Sequence, residues 1–304
     1  MMYDAVVIGG SYAGLSAAMQ LARAGRRVCV VDAGKPRNRS TDASHGFFGQ
    51  DGVAPLEMIG AARSKVESYP SVTMIEGDAV QAAKTDSGSF VITLKSDEEL
   101  RAVKLLLAFG QVDILPEIPG VAERWGKTVL HCPYCHGFEF KDRPLGVLSS
   151  HPLSVQQALL ISDWGPTTLF LNGLDLEDRS ARAQLAERGV KLEIARVAGL
   201  EGGNEELSSV RLTDGRSVPI AALYLAPRQQ LGSQLAEQLG CALDDGPLGP
   251  VIRTDAGKMT TVPGVYAAGD IAQVMQNATF ASADGVLAGA SLHRALIFEP
   301  LAAL

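Results

Sequence analysis

Three stretches of the sequence predict an α/β protein with two domains built on βαβ units, the second inserted into the first. They are a glycine-rich turn after the first apolar run, a Gly-Asp that closes an apolar run near the other end, and a separate βαβ rhythm between them. With 304 residues, the chain has room for two cores. Apolar residues make up 46 %, charged residues 20 %, and glycine is plentiful at 32 positions, an ordinary composition for a soluble globular protein.

The first run, Tyr3-Asp4-Ala5-Val6-Val7-Ile8, suits a strand covered on both faces of a parallel sheet. Gly9, Ser11 and Gly14 follow in the spacing of a dinucleotide-binding turn, with serine where the middle glycine normally lets the backbone approach a pyrophosphate. Serine is the smallest hydroxylated replacement, and its hydroxyl can itself donate to a phosphate. Leu15 to Gly25 has a helical period, and a second strand from Arg27 to Val31 ends at Asp32, where a carboxylate is positioned to bind a ribose hydroxyl. A further strand, Lys104 to Ala108, runs into Phe109-Gly110. Near the C-terminus Val265-Tyr266-Ala267-Ala268 ends in Gly269-Asp270, ahead of a helix from about Ala278 to Ala295. These two ends resemble the two-dinucleotide-domain flavoproteins, in which FAD lies across a domain built from both ends of the chain.

Pro116-Glu117-Ile118-Pro119-Gly120 and Asp244-Asp245-Gly246-Pro247 read as crossover linkers. They predict a discontinuous first domain, 1–115 with 245–304, and a central domain, 116–244. Within the latter, Leu145 to Leu148 and Thr167 to Leu171 read as strands, Leu153 to Ile161 and Ser180 to Arg188 as helices.

The net charge of −7 without a basic block leaves no footprint for nucleic acid. No apolar run approaches the length of a membrane span, and the start, MMYDAVVIGG, has no basic leader-like region. With only four cysteines, a disulfide-stapled secreted protein is not expected, and the chain reads as cytoplasmic.

Two of those cysteines lie in His131-Cys132-Pro133-Tyr134-Cys135-His136-Gly137-Phe138. A zinc site needs about four ligands. Here Cys132, Cys135, His131 and His136 crowd one segment, while Cys29 sits in an expected buried strand and Cys241 lies far away. Covalent haem attachment, which Cys-x-x-Cys-His matches literally, would require export. A redox-active dithiol beside a flavin is the coherent alternative, and no metal is expected.

A Cys-x-x-Cys on a central dinucleotide-type domain inserted in an FAD domain resembles the low-molecular-weight thioredoxin reductases over essentially the whole chain. The resemblance implies a two-domain, Rossmann-like flavoprotein, an FAD-dependent disulfide oxidoreductase. It implies that Cys135 exchanges electrons with the flavin and that Cys132 meets the substrate. It further implies cofactor contacts at Gly9, Ser11, Tyr12, Ala13, Gly14, Asp32, Ala33, Gly34, Lys35, Arg39, Val80, Ala108, Gly110, Gly269, Asp270, Asn277 and Ala278. A homodimer built on the FAD domain is likewise implied.

The sequence departs from that family in three places. Ser149-Ser150-His151-Pro152-Leu153-Ser154 follows the first central strand without a glycine, and Pro152 removes a backbone donor where a pyrophosphate would sit. Asn172-Gly173-Leu174-Asp175-Leu176-Glu177-Asp178 offers three carboxylates where an adenosine 2′-phosphate needs arginines. Both changes predict a central domain that has lost its NADPH site. His136 replaces the family's aspartate after the second cysteine, and imidazole serves as acid or base near neutrality. Cys-x-x-Cys-His-Gly is similar to the flavin-dependent dithiol oxidases of disulfide-containing natural products and to the ferredoxin- or flavin-linked relatives. The expected partner is accordingly a small dithiol or a thioredoxin-like protein. His45, in a loop with Phe47 and Phe48, is a possible second proton relay or a loop residue without that role.

Overall fold

The computed structural model describes residues 1–203 and 205–299. Residues 300–304, the end of the expected first domain, lie outside the described residues. The helices are α1 (Tyr12–Arg23), α2 (Pro55–Glu67), α3 (Pro133–His136), α4 (Ser154–Ile161), α5 (Arg179–Glu187), α6 (Leu235–Gln238) and α7 (Ala278–Phe298). No helix among the described residues is long and apolar enough to cross a membrane.

The chain divides into two compact units, each with its own core. The first takes Met1–Arg39, Pro55–Val112 and Gln229–Leu304; the second takes Ser40–Ala54 and Asp113–Arg228. The return to the first unit thus comes at Gln229, ahead of the Asp244-Asp245-Gly246-Pro247 linker. The reason is burial: Leu235, Ala236 and Cys241 pack in one core with Phe90, Ile92 and Leu105. The turn Asp245–Pro250 joins two short antiparallel strands, Leu243–Asp245 and Pro250–Ile252, within that unit. The second difference is Ser40–Ala54, a segment with no expected place in the central domain.

The first unit is organised by one sheet, in the order Val72–Glu76, Val28–Asp32, Met2–Ile8, Glu99–Leu107, Phe90–Leu94, Ala79–Lys84. The long strand Glu99–Leu107 serves two partners. Its N-terminal half pairs antiparallel with Phe90–Leu94, and its C-terminal half pairs parallel with Val265–Ala267, Tyr266 opposite Leu106. Alternation assigns the two faces. Val6, Ile8, Leu105 and Leu107 join the core that holds Phe90 and Ile92, while Ala5, Val7 and Leu106 face α1 and α7.

Small residues let α1 and α7 pack closely. A Cβ on Gly285 would lie 2.0 Å from the carbonyl oxygen of Ala13, and one on Gly289 would lie 2.7 Å from that of Ala17. The helix α1 ends at Arg23, two residues before Gly25, whose φ of +70° lets the chain turn away.

The second unit carries a five-stranded parallel sheet, ordered Lys191–Glu193, Thr167–Phe170, Leu145–Leu148, Ala222–Tyr224, Val129–Leu130. Leu145, Val147, Leu169 and Tyr224 are wholly buried beneath α4 and α5. An antiparallel sheet of Val197–Glu201, Ser209–Leu212 and Ser217–Pro219, without a clear sequence signal, covers a separate core around Val121, Val210 and Leu223.

The helix crossing gives a direct test. Gly285→Ala should destabilise the protein by about 1–3 kcal/mol through overpacking. Gly60→Ala, on α2 where an added Cβ meets nothing within 4 Å, should be neutral or stabilising. Denaturant midpoints of the two variants check the contrast.

Candidate active site

In the second unit Cys132 and Cys135 form a disulfide. Pro133 opens α3 at the position where its missing N–H costs nothing, and Cys132 is the cap residue, its Sγ accepting the Cys135 N–H at 3.2 Å. That donor would also stabilise a thiolate on Cys132. Gly137 ends the turn against Trp164; a Cβ there would lie 2.6 Å from the indole nitrogen. Tyr134, between the cysteines, stacks edge-on against Trp164 and remains exposed, as do Phe138 and Phe48.

His136, the last residue of α3, is largely enclosed. Burial pushes its imidazole below the ordinary histidine value, the charge of Glu139 pulls it up, and His45 pushes it down. The Tyr224 hydroxyl donates to the His136 carbonyl at 3.4 Å, from a phenol whose own pKa is raised by burial. Ser40–Ala54 is fastened to this unit by Lys127, which pairs with Asp42, and by Ser40, which packs against Gly126. The segment thereby brings His45 to His136, their rings edge-on with centroids 6.2 Å apart. His45 also lies 3.5 Å from a Glu139 oxygen and 3.5 Å from an Asp51 oxygen. Cys132, Cys135, His136 and His45 are therefore together in this unit. Glu139 and Asp51 join them without having been singled out by the sequence.

His131 is tied into the scaffold: its Nδ1 lies 3.2 Å from the Leu225 carbonyl oxygen, and its own carbonyl accepts from Gln157. Cys29 and Cys241 are buried, and burial pushes the Cys29 thiol up to about 12, far from thiolate chemistry at neutral pH.

In the first unit the expected cofactor residues gather at the C-terminal ends of the parallel strands. Gly9 has a φ of +113°, and a Cβ there would lie 2.2 Å from the Ala108 oxygen. A Cβ on Gly14 would lie 1.8 Å from the Gly9 oxygen, so α1 begins hard against the strand it follows. The first amides of a helix have no intrahelical acceptor, and the Ser11 side chain caps none of them. Asp32 accepts the Gly10 N–H at 3.1 Å, with Ala33, Gly34 and Lys35 exposed in the turn beyond. Gly110 follows the long strand at φ +74°. Gly269 packs on Ala13 and donates its N–H to Asp284, and Asn277 caps α7 ahead of Ala278 by accepting the Phe280 N–H at 2.8 Å.

Two expected residues are set apart from this group. Arg39 is exposed and donates to the Pro36 carbonyl. Val80 is exposed on the antiparallel strand Ala79–Lys84. Arg37, two positions from Arg39, makes the contact within the group instead, bonding Asp270 at 2.9 Å and also Gln276. Asn38 donates to the Tyr12 hydroxyl. Both stand in the basic-polar run Lys35 to Arg39, the one available signal.

Residues 3–285 match the family described as pyridine nucleotide-disulphide oxidoreductase. The chain belongs to that family. It is 36 % identical over 301 residues to the thioredoxin reductase tcpT of Claviceps purpurea, covering 94 % of this chain and 92 % of that one. Among solved structures, an oxidoreductase from Agrobacterium tumefaciens is 44 % identical with a TM-score of 0.93, covering 98 % and 99 % of the two chains. HlmI is 36 % identical with a TM-score of 0.92, covering 98 % and 93 %. The chain is thus a thioredoxin reductase-like oxidoreductase, and the cofactor its family implies is FAD.

The strand-end group fits a dinucleotide. Gly9 and Gly14 let the turn close on Ala108 and the start of α1 lie on the Gly9 carbonyl, which sets at the strand ends an α1 N-terminus whose amides and dipole favour a pyrophosphate. Asp32 and Asp270 supply carboxylates for hydroxyl groups, each already oriented by a partner, the Gly10 N–H and the Arg37 guanidinium.

The setting of His136 yields an expected direction. Its imidazole should titrate below the ordinary histidine value because burial disfavours its charged form, so the neutral, proton-accepting form is favoured near neutral pH. NMR titration of the ring, assigned by loss of its signals in His136→Asn, checks this; a midpoint above that of an unburied histidine would contradict the burial.

Proposed function

We propose that this FAD-dependent thiol–disulfide oxidoreductase oxidises a dithiol through Cys132–Cys135 and does without NADPH. The supporting observation is the fate of the backbone donors ahead of α4. The Ser149 N–H donates to the Phe170 carbonyl, and those of Ser150 and His151 both donate to the Ser154 hydroxyl oxygen. Pro152 has no N–H, that of Leu153 goes to the His151 ring, and that of Ser154 to the His151 carbonyl. Every amide from Ser149 to Ser154 is thereby spent or missing, so none of the turn's own donors is left for a pyrophosphate. In the second altered loop Arg182 is paired with Asp175, and Asp178 is taken up capping α5. The expected loss of the nicotinamide site rests on these contacts as well as on composition.

The chemistry assigned to the site balances as follows. A substrate thiolate attacks Cys132 Sγ, and the bond to Cys135 breaks with Cys135 leaving as thiolate. His136 takes the proton of the second substrate thiol. The new thiolate attacks the substrate sulfur of the mixed disulfide, which closes the substrate disulfide and releases Cys132 as a thiolate steadied by the Cys135 N–H. Two electrons have moved from substrate to enzyme. Bound FAD would supply two-electron exchange with this pair and with an acceptor such as oxygen.

The names of the thioredoxin reductase relatives favour a second reading, with the flow reversed toward a thioredoxin-like protein; that direction would need an electron donor such as ferredoxin, a second flavin or NADPH. A homodimer in the cytoplasm completes the proposal. Phe280 and Leu287, seven residues apart on α7, are exposed as an interface would require.

An anaerobic titration separates the readings. Dithiothreitol should bleach the flavin absorbance and NADPH at micromolar concentration should not; rapid bleaching by NADPH would overturn the proposal. Cys132→Ser and Cys135→Ser should each lose turnover on the order of 10³-fold or more while retaining FAD. Either variant with unimpaired turnover would refute the disulfide route.

A further inference from the structure

Glu139 and Asp51 have no part in the chemistry assigned so far, yet they flank His45, and Glu139 also acts on His136 beside the disulfide. We propose that Glu139 is the counter-ion of His136 during dithiol exchange and that His45, held between Glu139 and Asp51, governs how much of that charge His136 receives. This rests on the proposed role of Cys132–Cys135 and adds positioning residues to the proton step.

The geometry follows from short-range chain structure and one long-range contact. Glu139 sits three residues after His136 on the 3₁₀ turn Phe138–Phe140, so its carboxylate returns toward the end of α3. One oxygen lies 3.5 Å from His45 Nε2, and the His45 ring stands edge-on to that of His136. The other His45 nitrogen lies 3.5 Å from Asp51, itself fixed by the Gly46 N–H at 2.8 Å. His45 thus has a carboxylate on each side, while enclosed His136 has the Glu139 charge nearby.

The groups facing His136 are few. Glu139 comes from the following turn, His45 from Ser40–Ala54, and the neutral Tyr224 hydroxyl from the strand Ala222–Tyr224. Trp164, against Gly137, carries no charge. When His136 accepts the proton of the second substrate thiol, it becomes an imidazolium in a poorly solvated place, and a carboxylate nearby offsets much of that cost. The proton passes from sulfur to His136, the sulfur pair forms the new S–S bond, and the electrons of the broken bond remain on Cys132. A protonated His45 opposes this in two ways: it repels the imidazolium, and it draws Glu139 to itself.

The experiment is the pH dependence of Cys132–Cys135 reduction by dithiothreitol, read by rapid-quench alkylation and mass, in the FAD-loaded protein. Glu139→Gln should move the acid limb to lower pH and slow the reaction at pH 7 about tenfold, a fraction of a full general-base effect. Glu139→Asp, which keeps the anion, should restore the position of the limb; this separates charge from folding damage. His45→Asn should move the limb upward, and by less when Glu139 is already Gln. A Glu139→Gln profile that superimposes on the wild type overturns the counter-ion. Equal His45→Asn shifts with and without Glu139 overturn the role given to His45. The readout is thiol exchange itself, so an NADPH-reducible flavin would defeat the functional reading and leave this test intact.

Discussion

The contact of α1 and α7 at Ala13 is the constraint on which the first unit depends. Gly14 brings the start of α1 onto the Gly9 carbonyl, Gly285 brings α7 onto the Ala13 carbonyl, and Gly269 sets the Val265–Ala267 strand end against the Ala13 methyl. Two backbones, at Gly269 and Gly285, approach Ala13 more closely than a side chain would allow, and a third close approach, Gly14 on Gly9, lies next to it. The strand ends, the α1 amides and the Asp270 carboxylate are therefore fixed relative to one another before any ligand arrives. Asp284 extends the same constraint: it is buried on α7, takes the Gly269 N–H and is neutralised by Lys258. A buried carboxylate is costly unless paired in this way.

Each unit contains a strand–turn–helix element, Met2–Ile8 into α1 in the first and Leu145–Leu148 into α4 in the second, and the two use its backbone differently. In the first, the turn into α1 keeps glycine at two of three positions, and no serine hydroxyl closes the helix end. In the second, Ser154 folds its hydroxyl back onto two preceding amides and also donates to the Leu148 carbonyl, forming a self-contained cap. An anion site and a capped helix end compete for the same donors. The second turn satisfies the amides of Ser150 and His151 internally, which stabilises the start of α4. Gln157, one turn into α4, then bonds the His131 carbonyl, so the helix supports the segment that carries the disulfide.

Much of this was legible in the sequence, and the remainder was not for identifiable reasons. Strands such as Leu145–Leu148 match their expected bounds because continuous apolar runs leave no ambiguity of face. The strand expected from Lys104 begins at Glu99, since its first residues alternate with charges where only one face is covered. The sheet Val197–Pro219 carries no clear sequence signal because its strands are short and bear Arg, Glu and Ser on the open face. The glycine turn and Cys132–Cys135 were visible as local patterns. The assembly of His45 with Glu139 was not: the two lie 94 positions apart in the sequence and meet only because Ser40–Ala54 packs on the second unit. Arg37 illustrates the same limit at closer range, since Lys35, Arg37 and Arg39 are indistinguishable until Asp270 selects one of them.

His136 brings these constraints to the chemistry. An aspartate at that position would enter the enclosed end of α3 as an anion, and its burial would favour the protonated acid. An imidazole enters neutral, so the same burial favours the form that accepts a proton. On the role proposed for His136, the charge needed during turnover would appear only as a transient cation, with the Glu139 carboxyl group on a half-exposed turn close by. On that reading the disulfide has a base beside it in the form that accepts a proton, and the imidazolium would be compensated by a neighbour that need not itself be buried.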